Sequence, residues 1–441
     1  MSSTSDPFEP LVDRAAAVPD ATEGLPTSAM TGPTVPALLA ALFYVGYAGA
    51  IPAIASTWIA RGFGLDQSAI AAVFAWLALS SLGSLGLARM VDRVGRRRVL
   101  VWSMAAMPAC ALGATLATNL ALFVAFAIAL GAFVGAAGSA SIVMLAEALP
   151  IARRAHGQSL AGLAAAAGAG ICVFLMPLLD AGGWSWRWMF ALAAAAIVFL
   201  PRMVRVIPES ARWQRAAKEG EAARTHFYDI FIPLYRRRSI TLLICTLLAA
   251  IAGEGINSWG YFHAVSVVGL SAGMASVMMI VGGGLGMLGF PLGAWSAERF
   301  GRVRTVMGSG VMVAAGALLF YWGPPAGFAH PALWLCASFS ILNTLNNVVT
   351  VASNAAATEL FPTALRGTMF GWFALLGAVG SLTAESTISI LARRLGGLSI
   401  VVGWLAMLAA PGALLFGTLS ETQGLSLEAA ANEDAFREVR G

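Results

Sequence analysis

The stretch Glu147-Ala-Leu-Pro150-Ile-Ala-Arg-Arg154 returns in the other half of the chain as Glu359-Leu-Phe-Pro362-Thr-Ala-Leu-Arg366. Two more pairs recur at almost the same separation: Asp92-Arg93-Val-Gly95-Arg96 with Glu298-Arg299-Phe-Gly301-Arg302, and Glu209-Ser210 with Glu421-Thr422. Three charged signatures in the same order in both halves indicate a duplicated unit. In an apolar chain, such an internal repeat is typical of a membrane transporter.

The composition predicts an all-α membrane protein. Hydrophobic residues make up 59% of the chain and charged residues 11%, whereas a soluble domain has about a quarter charged residues. A membrane-crossing helix needs about 20 apolar residues, and twelve runs reach that length. The predicted spans are roughly 34–60, 68–90, 99–117, 120–146, 158–179, 187–203, 239–265, 272–297, 303–322, 331–358, 367–391 and 398–419.

The repeat and the polar segments divide the chain into two six-helix halves, 34–203 and 239–419, joined by a central loop, 204–238. Residues 1–33 are rich in acids and prolines and predict a disordered tail, and residues 420–441 form a second tail. Most of the 27 basic residues fall in the loops on one side of the predicted bundle. The other side has only Arg61, Arg187, Arg393 and Arg394. Basic loops stay inside, so we expect a multi-pass protein of the cell membrane with both termini cytoplasmic.

Several functional classes are disfavoured by what the sequence lacks. It contains no phosphate-binding loop with a following Lys-Ser/Thr, and its four histidines and four cysteines are scattered, without metal-ligand spacing. We therefore expect no enzyme, cofactor, metal site or disulfide framework. The net charge of +5 is divided by membrane side, so it does not indicate nucleic-acid binding. The expected partners of this monomer are a small-molecule substrate, protons and lipid.

The repeated loops resemble those of a known family. Asp92–Arg98 after the second predicted span is similar to the signature loop of the major facilitator superfamily, and Glu298–Arg302 follows the eighth span, where that family repeats it. The loops after the fourth, sixth, tenth and twelfth spans resemble its sugar-porter-like branch. Ala88 and Ala294 depart from the family pattern, because a Gly usually opens this loop. The resemblance covers about residues 34–428 and implies two pseudo-symmetric six-helix halves that transport by alternating access.

The charged loops are predicted to form a gating network. Carboxylates near helix N-termini, paired with arginines of neighbouring loops, can hold the cytoplasmic ends of the halves together in one state and release them in another. Alternatively, the arginines only set membrane topology. The candidate network comprises Asp92, Arg93, Arg96, Glu147, Arg154, Glu209, Glu298, Arg299, Arg302, Glu359, Arg366 and Glu421.

Two acids lie inside predicted spans, where ionisable groups are costly and usually functional. Glu254 and Glu385 are therefore the proton-coupling candidates, and Glu254 is the better one because it is farther from the span ends. Glu385 has an alternative role as a partner of Arg393 or Arg394. Polar stripes on three second-half spans, with two first-span tyrosines, predict a central cavity, although the asparagines could instead join helices. The cavity candidates are Tyr44, Tyr47, Asn257, Ser258, Tyr261, Asn343, Asn347, Thr350, Asn354 and Ser381.

The seventh predicted span, Gly253–Phe262, is similar to that of sugar porters. The two glutamines that bind sugar in that family correspond to Ile251 and Ala252, and its tenth-span tryptophan corresponds to Asn354. We therefore do not expect a hexose. No Lys or Arg lies in mid-span, which disfavours an anion, and aromatic residues suit a neutral, aromatic or cationic solute.

The sequence thus favours a proton-coupled symporter that takes up a small organic metabolite. The alternative is a proton-coupled multidrug or solute efflux antiporter. It is less favoured because the fifth-span segment Gly168–Cys172 lacks the proline of such exporters. A non-transporting nutrient sensor is disfavoured by the short tails and central loop.

Overall fold

The structure is a computed structural model that describes residues 33–148, 154–209, 214, 228–323, 330–361 and 363–423. Within these ranges, the side chains of 88–89, 91–93, 146–148, 154–159, 363–364 and 366–367 are not described. The predicted tails and most of the central loop therefore lie outside the description.

The described chain is helical almost throughout. In the first half, the α-helices are α1 (Thr34–Ile54), α2 (Ser56–Phe63), α3 (Gln67–Ala78), α4 (Ser80–Val94), α5 (Arg96–Leu116), α6 (Leu120–Ala148), α7 (Arg154–Ala181), α8 (Arg187–Ala195) and α9 (Leu200–Val206). In the second half they are α10 (Arg236–Ser258), α11 (Gly260–Phe262), α12 (Ala272–Gly286), α13 (Gly289–Phe300), α14 (Arg302–Tyr321), α15 (Pro331–Glu359), α16 (Thr363–Leu391), α17 (Leu398–Ala406) and α18 (Ala409–Phe416).

These helices form twelve candidate membrane spans among the described residues. Spans one, three, four and five are α1, α5, α6 and α7, and spans nine, ten and eleven are α14, α15 and α16. The seventh span is α10, with the short α11 following it, and four spans are divided into separate helical segments: α3–α4 (second), α8–α9 (sixth), α12–α13 (eighth) and α17–α18 (twelfth). The predicted all-α fold with twelve spans is confirmed, including the Gly-rich fifth span and the Asn-rich tenth.

The two halves have the same packing pattern, which is the structural mark of the duplication. In the first half, span one packs on span five, span two on span four, and span three on spans four and six. In the second half, span seven packs on eleven, eight on ten, and nine on ten and twelve. Even the interruptions correspond, since the second and eighth spans, and the sixth and twelfth, are divided at equivalent points.

Glycines bring the first and fifth spans into close contact. A Cβ atom on Gly46 would lie 1.9 Å from the carbonyl oxygen of Ala165, and one on Gly168 would lie 1.9 Å from that of Phe43. Small residues allow such backbone approach in lipid, where packing rather than the hydrophobic effect joins helices. In the second half, Gly380 provides the matching contact between the eleventh and seventh spans.

The most extensive contacts between the halves join the second span with the eleventh and the fifth with the eighth, and helix α1 also contacts α11. The bundle has two ends. The motif side carries Gly95, Ile207, Gly301 and Glu421, and the opposite side carries the connections around residues 54–67, 181–187, 267–272 and 391–398. All four cysteines are free thiols.

Candidate substrate cavity and carboxylate pair

The regular helix of the seventh span stops after Ser258. Trp259 follows with φ −105° and ψ −4°, and the short helix α11 is followed by a π-helical turn over His263–Val267. The side-chain amide of Asn257 donates to the carbonyl oxygen of Gly253, 2.9 Å away. Interrupted helices at membrane depth occur where the backbone is buried in protein or lines a cavity. The interruption places the side chains after Ser258 differently from those of an unbroken helix.

Glu254 lies between the seventh and eleventh spans. Its Oε1 accepts a hydrogen bond from Ser258 Oγ at 2.6 Å, and its Oε2 accepts one from Ser381 Oγ at 2.7 Å. The three predicted site residues Glu254, Ser258 and Ser381 are therefore brought together. Each carboxylate oxygen therefore accepts from one hydroxyl donor.

Glu385 lies one turn farther along the eleventh span and is fully buried, with 0% exposure. The indole Nε1 of Trp259 donates to both of its carboxylate oxygens, at 3.0 and 3.1 Å. The alternative pairing of Glu385 with Arg393 or Arg394 is wrong for this structure, because Arg393 instead binds Asp66 at 2.5 Å on the opposite side. Neither Glu254 nor Glu385 forms an ion pair with an Arg or Lys in the described part of the chain.

A cavity of about 500 Å³ runs from Glu254 toward the motif side. This volume is within the usual range for small-molecule sites. The cavity is lined by the seventh, ninth, tenth, eleventh and twelfth spans, all of the second half, so the expectation that the cavity lies between the halves is wrong for this cavity. Its lining contains no Arg, Lys or His among the described residues. Besides Glu254, its polar lining includes Asn257, Asn346, Thr350, Ser353, Asn354 and Ser381.

The tenth span presents a different face to the cavity than its asparagines suggested. Thr350 and Asn354 line it, whereas Asn343 and Asn347 do not. Asn343 donates to the carbonyl oxygen of Phe339 on its own helix, and Asn347 donates to that of Gly286 on the eighth span. Asn347 thus joins helices, which is the alternative role that membrane asparagines have.

The structure also reveals cavity residues that were not predicted. Ser353 and Thr246 line the cavity, and the i, i+4, i+7, i+8 spacing of Asn346, Thr350, Ser353 and Asn354 was the available signal for the correct face.

The three predicted tyrosines lie outside this cavity. Tyr44 donates to the carbonyl oxygen of Ala193 at 2.9 Å, and Tyr47 donates to that of Met189 at 3.0 Å, so both face the sixth span. Tyr261 is 1% exposed and bonds to Ser276 at 3.0 Å on the opposite side. None of the three hydroxyls is brought near Glu254.

The repeated loops of the motif side form matching helix caps. Glu209 accepts from the backbone N–H groups of Arg96 and Arg97, both at 3.0 Å. Glu421 accepts from Arg302 N at 2.8 Å and from Val303 N at 3.1 Å. Each acid therefore binds the N-terminus of the third or ninth span, where the helix dipole favours a negative charge.

A second layer of contacts supports the ninth-span cap. Arg302 forms an ion pair with Glu359 at 3.1 Å, and Thr422 Oγ1 donates to the other oxygen of Glu359. Arg299 instead lies over the ring of Trp295 on its own helix, and the side chain of Glu298 is exposed.

These contacts each join residues of one half, whereas the predicted network joins the two halves. The expectation of a latch between halves is therefore not met by the described contacts of this conformation. The side chains of the remaining network candidates, Asp92, Arg93, Glu147, Arg154 and Arg366, lie outside the described residues.

The opposite side is closed by contacts between the halves. Thr57 Oγ1 lies 2.9 Å from Ser266 Oγ, and Ser389 donates to the carbonyl oxygen of Ser68 at 3.1 Å. The backbone N–H of Ala69, followed by Ser68 and then Arg393, lowers the pKa of Asp66 from 3.8 to about 2. Asp66 therefore stays ionised and available to Arg393 throughout the neutral range.

The sequence profile of the Major Facilitator Superfamily matches residues 37–385. The chain belongs to the major facilitator superfamily. It is accordingly a membrane transporter and not an enzyme.

Superfamily members of differing cargo are similar to this chain. A gentisate transporter from Corynebacterium glutamicum is 24% identical over 84% of this chain and 84% of its own length. A minor myo-inositol transporter from Bacillus subtilis is 27% identical over 64% of this chain and 66% of its own. The solved inward open structure of a xylose transporter from E. coli has a TM-score of 0.67 and 17% identity, covering 92% of this chain and 99% of that one. This last likeness supports the fold: two six-helix halves of the superfamily type.

Proposed function

We propose that this superfamily member is a proton-coupled symporter of a small organic metabolite, with Glu254 as the residue that carries the proton. The observation that supports this most directly is the position of Glu254 at the deep end of the cavity, between two hydroxyl donors. A carboxylate at membrane depth is costly when ionised. Proton binding at Glu254 removes that cost, so the binding of cargo in the cavity is linked to the protonation of Glu254.

The charge of the cavity lining limits the cargo. Its ionisable lining residue is Glu254, and no basic side chain of the described lining balances it. A neutral or cationic solute can enter beside the ionised carboxylate. A carboxylate cargo of the kind named for the gentisate-transporting relative can enter only when Glu254 is protonated, since two adjacent negative charges are mutually destabilising in a low dielectric. In that case the proton binds before the cargo and both cross the membrane together, which is symport.

We further propose that the motif side is cytoplasmic, because most of the basic residues lie there. The closed opposite side then makes the described conformation inward-facing. The cytoplasmic placement of both termini, the cell-membrane location, the monomeric state and the domain boundaries at 34, 204, 239 and 420 are parts of the same proposal.

The test is solute uptake into proteoliposomes across an imposed pH gradient, screened over a panel of neutral, cationic and anionic metabolites. We expect gradient-driven accumulation by the wild-type protein. Glu254→Gln should keep solute exchange without a gradient and lose accumulation, because Gln fills the same space but carries no exchangeable proton. Glu23→Gln, the same change in the N-terminal tail, is the matched control.

Two outcomes contradict the proposal in different ways. Equal gradient-driven accumulation by wild-type protein and Glu254→Gln excludes this residue as the proton carrier. Solute movement against the direction of proton flow identifies an efflux antiporter instead. That alternative has one observation in its favour, a 26% identical relative over 75% of the chain that is a multidrug resistance protein from E. coli.

A further inference from the structure

Glu385 differs from Glu254 in its surroundings. It is fully buried and does not line the cavity, and both of its oxygens accept from the indole of Trp259. Its titratable neighbours are Glu254 from the seventh span and Tyr321 from the ninth. His263 is one layer farther away, with its ring 5.1 Å from that of Tyr321. A carboxylate sealed from the cavity in this way is placed to act on protein rather than on cargo.

Trp259 connects this carboxylate to the other half of the molecule. Its side chain is 0% exposed, and its ring lies 5.0 Å from that of Phe74 in the second span. The residue also marks the point where α10 ends, with φ −105° and ψ −4°. One side chain therefore contacts Glu385 in the second half, Phe74 in the first half, and the start of the segment that follows.

That following segment, Gly260–Val267, closes the opposite side, and we name it the gate segment. Tyr261 lies 6.0 Å from Trp58 between ring centroids, and Ser266 hydrogen-bonds with Thr57 at 2.9 Å. Both contacts cross from the second half to the first. The gate segment begins directly after Trp259, so a shift of that residue is transmitted to both contacts.

We infer that Glu385 is a positioning residue: its carboxylate holds the Trp259 indole against Phe74 and so keeps the gate segment closed. Both carboxyl oxygens of Glu385 accept from the indole N–H, so a side chain that offers fewer acceptor atoms loosens the gate. The gate contact does not depend on which residue carries the transported proton.

Cysteine labelling tests the gate without measuring transport. Thr57→Cys is the gate reporter, because Thr57 is 2% exposed on the opposite side. Ser353→Cys is the cavity reporter, because Ser353 lines the cavity. Purified full-length protein is exposed to a water-soluble maleimide. Each labelling rate is compared with the labelling rate of the same variant without the added cysteine.

When Glu385→Gln is added, we expect the labelling rate of the gate reporter to rise several-fold, because Gln replaces one of the two acceptor oxygens by an amide NH2 group that cannot accept a hydrogen bond. The labelling rate of the cavity reporter should fall, because alternating access closes one side as the other opens. Trp259→Phe should have the same effect, and combining it with Glu385→Gln should add little to either single change. Glu254→Gln should leave the gate closed.

The outcomes separate the possibilities. Unchanged labelling of the gate reporter with both Glu385→Gln and Trp259→Phe overturns the inference. A rise at both reporters indicates loss of folding and contradicts a specific positioning role, as does full additivity when the two changes are combined. If Glu254→Gln retains proton-driven transport while Glu385→Gln opens the gate, the proposed proton carrier is wrong and the gate contact stands.

Discussion

Replacing Glu421 by Ala should destabilise the ninth span by a predictable amount. The carboxylate accepts from two backbone N–H groups at the start of that span, Arg302 N at 2.8 Å and Val303 N at 3.1 Å. Loss of a helix N-cap costs about 0.5–2 kcal/mol, and loss of a negative charge from a helix N-terminus costs about 0.3–1 kcal/mol. We therefore expect Glu421→Ala to reduce the free energy of unfolding by about 2 kcal/mol.

The measurement is thermal unfolding of the purified protein in detergent, with the midpoint expected to fall by about 2–5 °C. Glu421→Gln should fall by less, because it keeps an acceptor and loses only the charge. Glu209→Ala removes the equivalent cap from the third span, where the carboxylate lies 3.0 Å from Arg96 N, and should have a similar effect.

Glu298→Ala is the matched control, because this neighbouring acid has an exposed side chain and should leave the midpoint unchanged. If Glu421→Ala and Glu298→Ala give the same midpoint, the carboxylate of Glu421 does not stabilise the ninth span. The repeated acids would then need a role only in another conformation.

Three further predictions concern packing, surface charge and cargo. Gly168→Leu should lower the yield of folded protein, measured by gel filtration, because even its Cβ would lie 1.9 Å from a carbonyl oxygen of the first span. Asp66→Asn should lower the thermal midpoint slightly at low ionic strength and not in about 1 M salt, because the exposed pair with Arg393 is screened. The backbone N–H of Ala69 and the other donors lower the pKa of Asp66 from 3.8 to about 2, so its contribution should be present above pH 3.8 and lost only as the pH falls through about 2. Asn354→Leu should raise the KM for uptake several-fold with an unchanged response to the pH gradient, because Asn354 lines the cavity without contacting the Glu254 carboxylate.

The spans were predictable because crossing a membrane is a local requirement. About 20 apolar residues suffice whatever their neighbours are, and the structure has twelve such helices among its described residues. The duplication was visible for a similar reason: the charged loops at the helix ends recur in the sequence, and Glu209 and Glu421 occupy matching caps.

The rotation of the tenth span was not predictable from its own residues. It has polar side chains on more than one face, so several orientations would give a polar cavity. The eighth span decides between them, because a Cβ on Gly286 would lie 2.6 Å from Asn343 and one on Gly289 would lie 2.8 Å from Asn347. Close packing at these glycines turns both asparagines toward the eighth span and leaves the Thr350 face for the cavity.

The tyrosines of the first span were misleading for a related reason. A polar tip on an aromatic ring needs a partner when it is buried, and a wet cavity is one such partner. The sixth span supplies another, since its regular helix stops at Ala195 and a 3₁₀ stretch follows. Tyr44 bonds to the carbonyl oxygen of Ala193 near that interruption. The choice between these partners depends on how the first and sixth spans pack together, so it was not readable from the first span.

The two halves share one scaffold, whereas the polar residues of the candidate site lie in the second half. Caps, helix pairings and interruptions correspond between the halves, yet Glu254, Glu385 and the cavity-lining asparagines all belong to the second half. The first half contributes Phe74 and Trp58, which meet the second half through aromatic contacts on the opposite side. A change at these second-half residues can therefore affect the first half only through the surfaces where the halves touch. Trp259 lies at such a surface and also binds the carboxyl group of Glu385, so one indole ring joins the buried acid to the interface between the halves.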